Sequence, residues 1–118
     1  MSDYVVMFPA DSEAEWQAGS EADHQATFET DEEFGRLLAA SGGAVTGGAG
    51  LGASSRARTI RRGAGSDAVV TEGPYAESVE QLSGFFIVSC DDYDALVDAA
   101  LVLTRAHPVV EIRPVEEY

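Results

Sequence analysis

Two side chains in the sequence are suited to moving a proton near neutral pH. His24 lies in the first predicted helical region, and a histidine beside a carboxylate can act as a general acid or base. Glu72 precedes Gly73-Pro74, where the proline fixes a turn, and its carboxylate is placed at the end of a predicted strand. We therefore treat His24 and Glu72 as candidate catalytic residues. The alternatives are a surface helix position for His24 and a structural cap of backbone amides for Glu72.

A second chemical feature is a local concentration of arginine. Four of the seven basic residues fall within Arg56–Arg62, and the alternation of a strand divides them between two faces. All four therefore cannot line one pocket, and salt bridges to the abundant acids are the alternative explanation. We predict that Arg58, Tyr75 and Arg113 contribute to a ligand site beside Glu72.

The sequence lacks the motifs that hold common cofactors and metals. It has no lysine for a phosphate-binding Walker loop, and its two histidines and one cysteine are too few for a convincing zinc site. Gly48–Ala53 matches the loose dinucleotide fingerprint, but a predicted strand follows it where that fingerprint needs a helix. We expect this segment to be a flexible connection between strands, and we expect no cofactor and no bound metal.

Cys90 and His107 are predicted to have structural positions. Cys90 ends an apolar strand and is expected in the core. His107 precedes a proline at the end of a predicted helix, where the negative end of the helix dipole favours a cation. Because Cys90 is the single cysteine, no internal disulfide can form, which favours a reducing, cytoplasmic environment.

The charge balance limits the classes of partner. The chain of 118 residues carries 21 acidic and seven basic residues, a net charge of −14 that repels nucleic acid and anionic lipid. The acids are scattered, which favours solubility over a cation-binding surface. No apolar run is long enough to span a membrane, and Met1–Tyr4 shows no basic region of a signal peptide. We expect one domain over residues 1–118, with neither nucleic acid nor membrane as a partner.

Hydrophobic periodicity predicts six strands and two main helical regions. The first helix is expected over about residues 21–41, either continuous or broken near a second capping box at Thr30. The second is expected to begin at Asp91 and to end at Pro108. A helical turn is expected over Ser12–Gln17, and a hairpin turn over Gly63–Ser66. The predicted strands are Tyr4–Phe8, Ala44–Thr46, Arg56–Arg62, Ala68–Thr71, Gly84–Cys90 and Val109–Arg113.

The order of these elements predicts the fold class. Without the central hairpin, the order is β-α-β-β-α-β, the ferredoxin-like unit, in which two helices cover one face of an antiparallel sheet. The other face would expose apolar side chains to water unless something covers it. In a chain this short, a second copy of the same sheet is the simplest cover. We therefore predict an α+β protomer that forms a homodimer.

Three segments carry a resemblance to a known family: Glu72–Glu77, Glu80–Phe86 and Val110–Val115. Together they resemble the YCII-related family, and in particular its branch named for an Asp-Gly-Pro-Phe motif. The resemblance runs from the first strand to Val115, and the stretch from 72 to 86 is its most specific part. It implies a dimeric α+β barrel of ferredoxin-like protomers. In this sequence Glu72 and Tyr75 stand where the motif has aspartate and phenylalanine.

The resemblance gives only a broad expectation of activity. Proteins of related fold include isomerases, dehalogenases and monooxygenases, and a histidine–aspartate pair has been suggested as catalytic in the YCII branch. The distance from His24 to the following strand is about two helical turns longer than in that branch. We expect a cofactor-free protein that binds a small molecule, or a lyase- or isomerase-type enzyme, with its site in a cavity between helices and sheet. The alternative is a non-catalytic dimeric accessory module.

Overall fold

A computed structural model describes residues 1–65, 67–76, 78 and 80–117. Ser66 of the predicted hairpin turn and Glu77 of the family motif lie outside the described residues. The strands are β1 (Ser2–Met7), β2 (Asp11–Ser12), β3 (Ala44–Gly50), β4 (Arg58–Arg62), β5 (Ala68–Glu72), β6 (Glu80–Gln81), β7 (Gly84–Cys90) and β8 (Glu111–Pro114). The α-helices are α1 (Glu13–Ala18), α2 (Glu21–Ala40) and α3 (Tyr93–Ala100), with 3-10 turns at Ser54–Arg56 and Leu101–Arg105.

The main sheet has four strands in the order β3-β7-β1-β8, and every neighbouring pair is antiparallel. Strand β7 therefore lies between β1 and β3, which is the arrangement of the split β-α-β unit. The predicted ferredoxin-like α+β fold is confirmed. Two short ladders lie outside this sheet: β4 pairs with β5 as the predicted hairpin, and β2 pairs with β6, for neither of which a strand was predicted.

One face of the sheet packs against α2 and α3. Alternation along β1 directs Tyr4 and Val6 to this face, where they are buried with Phe34 and Leu38 of α2 and Leu96 of α3. Cys90 is also in this core, as its apolar strand predicted. The described part of the chain has no helix that is both long and apolar enough to cross a membrane.

Helix α2 is continuous through Thr30, so of the two alternatives the unbroken helix is the one observed. It begins with a capping box at Ser20, whose hydroxyl accepts from the Asp23 amide while the Asp23 carboxylate accepts from the Ser20 amide. The prediction of a second capping box at Thr30 is wrong, because the Thr30 hydroxyl donates to the Ala26 carbonyl oxygen, 2.9 Å away, inside a continuous helix.

The first half of the glycine-rich segment Gly48–Ala53 is strand, so the prediction of a flexible connection is wrong over Gly48–Gly50. These residues pair with β7, with a register shift between Val45 and Gly47. Gly48 has a φ of 145°, and a Cβ there would overlap the carbonyl oxygen of Phe85. Glycine is thus required where β3 passes close to β7.

The sheet face opposite the helices stays partly open. Val5 and Ile87 are cross-strand partners on this face, and Met7 lies beside them on β1. Each is half-buried or exposed, and both main helices pack on the other side. Ile60 and Val70 of the β4–β5 hairpin are also exposed, at 70% and 61%. An apolar surface of this kind is typical of an interface.

We expect Gly84→Ala to destabilise the fold by about 1 to 3 kcal/mol, because its Cβ would stand 2.8 Å from the Ala49 carbonyl oxygen and force two paired strands apart. Gly35→Ala is the control, since a Cβ in that position of α2 meets nothing within 4 Å. It should stabilise the protein by up to about 1 kcal/mol through helix propensity. Urea denaturation measures both, and equal effects of the two substitutions would contradict the packing of β3 on β7.

Candidate functional site

His107 is a buried side chain next to the main sheet. It follows the 3-10 turn Leu101–Arg105, and its amide donates to the Leu103 carbonyl oxygen at 2.9 Å. Its ring lies flat on Phe8, with centroids 3.7 Å apart and planes 9° from parallel. Only 7% of the His107 side chain is exposed, so this polar ring needs hydrogen-bond partners within the protein.

Two carboxylates provide those partners, one for each ring nitrogen. Nδ1 of His107 lies 2.8 Å from Asp11 Oδ2, and Nε2 lies 3.2 Å from Asp31 Oδ1. Ionised carboxylates only accept hydrogen bonds, so both bonds form when both ring nitrogens carry protons. The geometry therefore favours an imidazolium held between two aspartates.

The electrostatics of the site agree with this protonation state. Burial by itself lowers the pKa of His107, because it penalises the charged ring. The hydrogen bonds to Asp31 and Asp11, together with their negative charges, outweigh that penalty and raise the pKa above the usual histidine value. His107 thus retains its proton to a higher pH than an exposed histidine does.

Asp11 is positioned by the short β2–β6 ladder, in which it stands opposite Gln81. The Ser83 hydroxyl donates to Asp11 Oδ2 at 2.5 Å, the same oxygen that contacts His107. Asp11 Oδ1 is buried and accepts no hydrogen bond from any group that the structure describes. Within the described residues, no group of three or more histidine, cysteine or acidic side chains is arranged to hold a metal ion.

These residues form one end of a cavity of about 580 Å³. Phe8, Asp11, Asp31 and His107 line it beside the sheet, and the segment 49–53 at the end of β3 forms another part of its wall. A volume of this order is typical of pockets that take a small organic molecule. The Asp31 and Asp11 carboxylates are therefore next to space that a ligand can occupy.

The mouth of the cavity is aromatic and includes His24. The His24 ring stacks on Trp16 at 3.8 Å between centroids, and its Nε2 donates to the Trp16 carbonyl oxygen at 2.7 Å. Phe28 meets Trp16 edge-on at 5.9 Å. His24 and Asp31 lie seven residues apart on α2, two turns along one helix face. This places a second titratable ring in the cavity.

The other predicted site residues lie elsewhere. Glu72 is exposed at the end of β5, opposite Arg58 in the hairpin register, and neither side chain lines the cavity described above. Tyr75 is exposed after that hairpin, and Arg113 is exposed on β8. Of the candidates, the structure brings only His24 into the cavity, so the roles suggested for the other four remain predictions.

Comparison with known proteins gives the family. The family model of the YCII-related domain matches residues 3–118. The chain belongs to the YCII-related family. The resemblance seen in the sequence is thus confirmed at the level of the family.

A curated relative is an uncharacterised protein of Rhizobium meliloti (strain 1021), which is 38% identical over 68 residues. The match covers 55% of this chain and 54% of that protein, so the chain spans about half the length of the relative. The relative therefore supports kinship within the YCII-related family without adding an activity.

Sequence reasoning missed the cluster of Asp11, Asp31 and His107. His107 follows a helical turn, as predicted. Its interpretation as a simple helix-end residue is wrong, because its ring is buried between two carboxylates. The contact of His107 with Asp11 spans 96 residues of sequence, and its contact with Asp31 spans 76. No local sequence pattern predicts contacts over such separations. The one available signal was the apolar sequence around the histidine, from Ala106 to Val110.

The raised pKa of His107 predicts that its stabilising effect is lost as pH rises. The charged ring is stabilised only in the folded state, so its contribution is complete below the ordinary pKa of about 6.5 and disappears as pH passes the higher folded-state pKa. Thermal melts of the wild type and His107→Gln across this range should give a difference in melting temperature that shrinks with rising pH. A difference that stays constant would contradict the charged pairing.

Proposed function

We propose that the cavity binds a small organic molecule and that the chain is a cofactor-free enzyme of the lyase or isomerase type. The observation that carries this proposal is the position of Asp31, which lines the cavity and is hydrogen-bonded to a buried, proton-retaining His107. A histidine of raised pKa that is hydrogen-bonded to a carboxylate in a concave site is an arrangement often found where proton transfer is catalysed.

Asp31 is the group that meets the substrate in this scheme. When the shared proton resides on His107 Nε2, the Asp31 carboxylate can accept a proton from a carbon next to a carbonyl group. Asp31 is then the neutral acid, which can deliver this same proton to another atom of the substrate and so regenerate the carboxylate, while His107 keeps its own proton. Asp11 positions His107 through Nδ1 and keeps the ring charged. One network thus provides both the base and the acid that an isomerisation needs.

His24 is the second proton-transfer group in the proposal. It lines the same cavity, and its stacking on Trp16 fixes the ring at the mouth. The motif at Glu72–Tyr75 supports a place in the Asp-Gly-Pro-Phe branch. The exposed positions of Glu72, Arg58, Tyr75 and Arg113 give them no role in this cavity.

We also propose that the protein is a homodimer joined through the open sheet face. Val5, Met7 and Ile87 form an apolar surface on the side away from the helices, and a second copy of the same sheet would remove it from water. The alternative function, a non-catalytic dimeric accessory module, is supported by this apolar surface alone. The cavity lined by Asp31, His107 and His24 favours an enzyme over that alternative.

The proposed activity is tested by hydrogen–deuterium exchange in small neutral ketones and amino ketones, followed by NMR in heavy water. The wild type should accelerate exchange at the carbon beside a carbonyl group in at least one of them. Asp31→Asn should lower this rate about a hundredfold or more, because the proton acceptor is gone. Glu32→Gln removes the same charge from an exposed neighbour on α2 and should leave the rate unchanged.

Circular dichroism and thermal melts show that both variants are folded at the assay temperature. Absence of exchange above buffer throughout the panel would contradict the enzymatic role and favour the accessory module. Full activity of Asp31→Asn would contradict the assignment of the proton acceptor.

The proposed dimer is tested by light scattering coupled to gel filtration. The wild type should elute with the mass of two chains. Ile87→Glu should give a monomer, because it places a charge at the centre of the open face. Leu101→Glu is the matched control, since Leu101 is 62% exposed on the helix side of the fold, and it should remain dimeric. A monomeric wild type at micromolar concentration would overturn the proposal.

A further inference from the structure

We infer that the ligand of the cavity is an organic cation with a flat aromatic part, such as an aryl ammonium compound. This inference rests on the proposed binding role of the cavity and adds the chemical class of the ligand. It follows from three separate properties of the cavity: the charge of its lining, the aromatic rings at its mouth, and a wall without side chains.

The lining of the cavity is negative. Five carboxylates line it, against at most two positive imidazole rings, and no arginine is found among the described residues that line it. The lining carboxylates are Asp11, Glu13, Glu15, Asp23 and Asp31. Because opposite charges attract strongly in a partly enclosed site, a cation is drawn into this cavity and an anion is repelled.

One carboxylate oxygen at the inner end has unused hydrogen-bonding capacity. Asp11 Oδ1 is buried without a hydrogen bond from any described group, although Oδ2 of the same carboxylate accepts from Ser83 and His107. A buried acceptor left unpaired costs free energy, and a positive charge bound in the cavity beside this carboxylate offsets part of that cost. The arginines, which would suit an anion, are concentrated instead on the β4–β5 hairpin.

Aromatic rings form the mouth of the cavity. Trp16 and Phe28 are 44% and 50% exposed and meet edge-on, so part of each ring surface is accessible to a ligand. The faces of such rings attract cations and stack on flat groups. Carboxylates combined with accessible aromatic rings are the chemistry that recognises organic ammonium groups.

The wall formed by the end of β3 explains the preference for a flat ligand. Gly50 stands opposite Gly84 of β7, on the sheet side that faces the helices. A Cβ on Gly50 would meet nothing within 4 Å, so the cavity continues directly above its backbone. The glycine-rich segment thus provides a surface without side chains, on which a planar group can lie. It does this as part of a strand, and not as the loop of a dinucleotide-binding motif.

Three probes of similar size test the charge preference: phenyltrimethylammonium, benzyl alcohol and benzenesulfonate. Trp16 is the only tryptophan of the chain and lies at the mouth, so its fluorescence reports binding directly. Phenyltrimethylammonium should bind about tenfold more tightly than benzyl alcohol, and its affinity should fall as salt is added. Benzenesulfonate should bind more weakly than either.

Two pairs of variants locate the binding. Gly50→Val fills the space above β3 and should weaken phenyltrimethylammonium binding about tenfold, whereas Ala44→Val, on the same strand but away from the cavity, should not. Glu15→Gln removes a charge from the lining and should weaken the cation severalfold, whereas Glu29→Gln, exposed on α2 outside the cavity, should have no effect.

The outcomes separate this inference from the proposed function. Equal or stronger binding of benzyl alcohol or benzenesulfonate, abolished by Gly50→Val, would overturn the cation preference and leave the cavity as a ligand site. Failure of phenyltrimethylammonium to bind, or binding that Gly50→Val and Glu15→Gln do not weaken, would also overturn the inference. The proton-exchange assay with Asp31→Asn does not depend on these probes and tests the enzymatic role separately.

Discussion

The pairing of His107 with Asp11 and Asp31 is the interaction on which the site depends. Charged groups that leave water must be matched by opposite charge and hydrogen bonds, or the protein loses several kcal/mol. The three residues come from β2, from α2 and from the segment after α3, so their mutual contacts form only when these elements are assembled. The ion network therefore links the long helix to both ends of the chain and fixes one end of the cavity.

The sheet beneath this network is divided into a packed end and an open end. Along β7, Cys90 and Val88 are buried under the helices, and Phe86 packs edge-on against Phe8. The next residue on that side is Gly84, which leaves the sheet without a side chain where the cavity begins. One end of β7 thus contributes side chains to the hydrophobic core, and its other end forms part of the cavity wall. Different parts of this strand therefore stabilise the fold and leave room for a ligand.

Local patterns in the sequence predicted most of the fold. Short apolar runs gave β1 and β7, and an alternating segment with its hairpin return gave β4 and β5, each to within a few residues. The charged residues that precede the apolar periodicity gave α2. The β2–β6 ladder and the strand character of Gly47–Gly50 were missed, because both depend on pairing with distant residues rather than on propensity. The site was harder for the same reason: His24 was recognised from its type, whereas the role of His107 exists only once Asp11 and Asp31 have been brought to it.

The network of His107, Asp11 and Asp31 is not explained by the stability of the folded state alone. A buried group of charges that is replaced by well-packed apolar residues often leaves a protein equally stable or more so, whereas the loss of one member is costly. The flat contact of His107 with Phe8 shows that the surroundings accept an apolar ring. What the histidine adds is a charge that depends on a proton, shared with a carboxylate at the cavity wall. A permanent cation such as arginine would neutralise the two aspartates equally well and could not exchange that proton, and this exchangeable proton is the property that the proposed proton transfer would use.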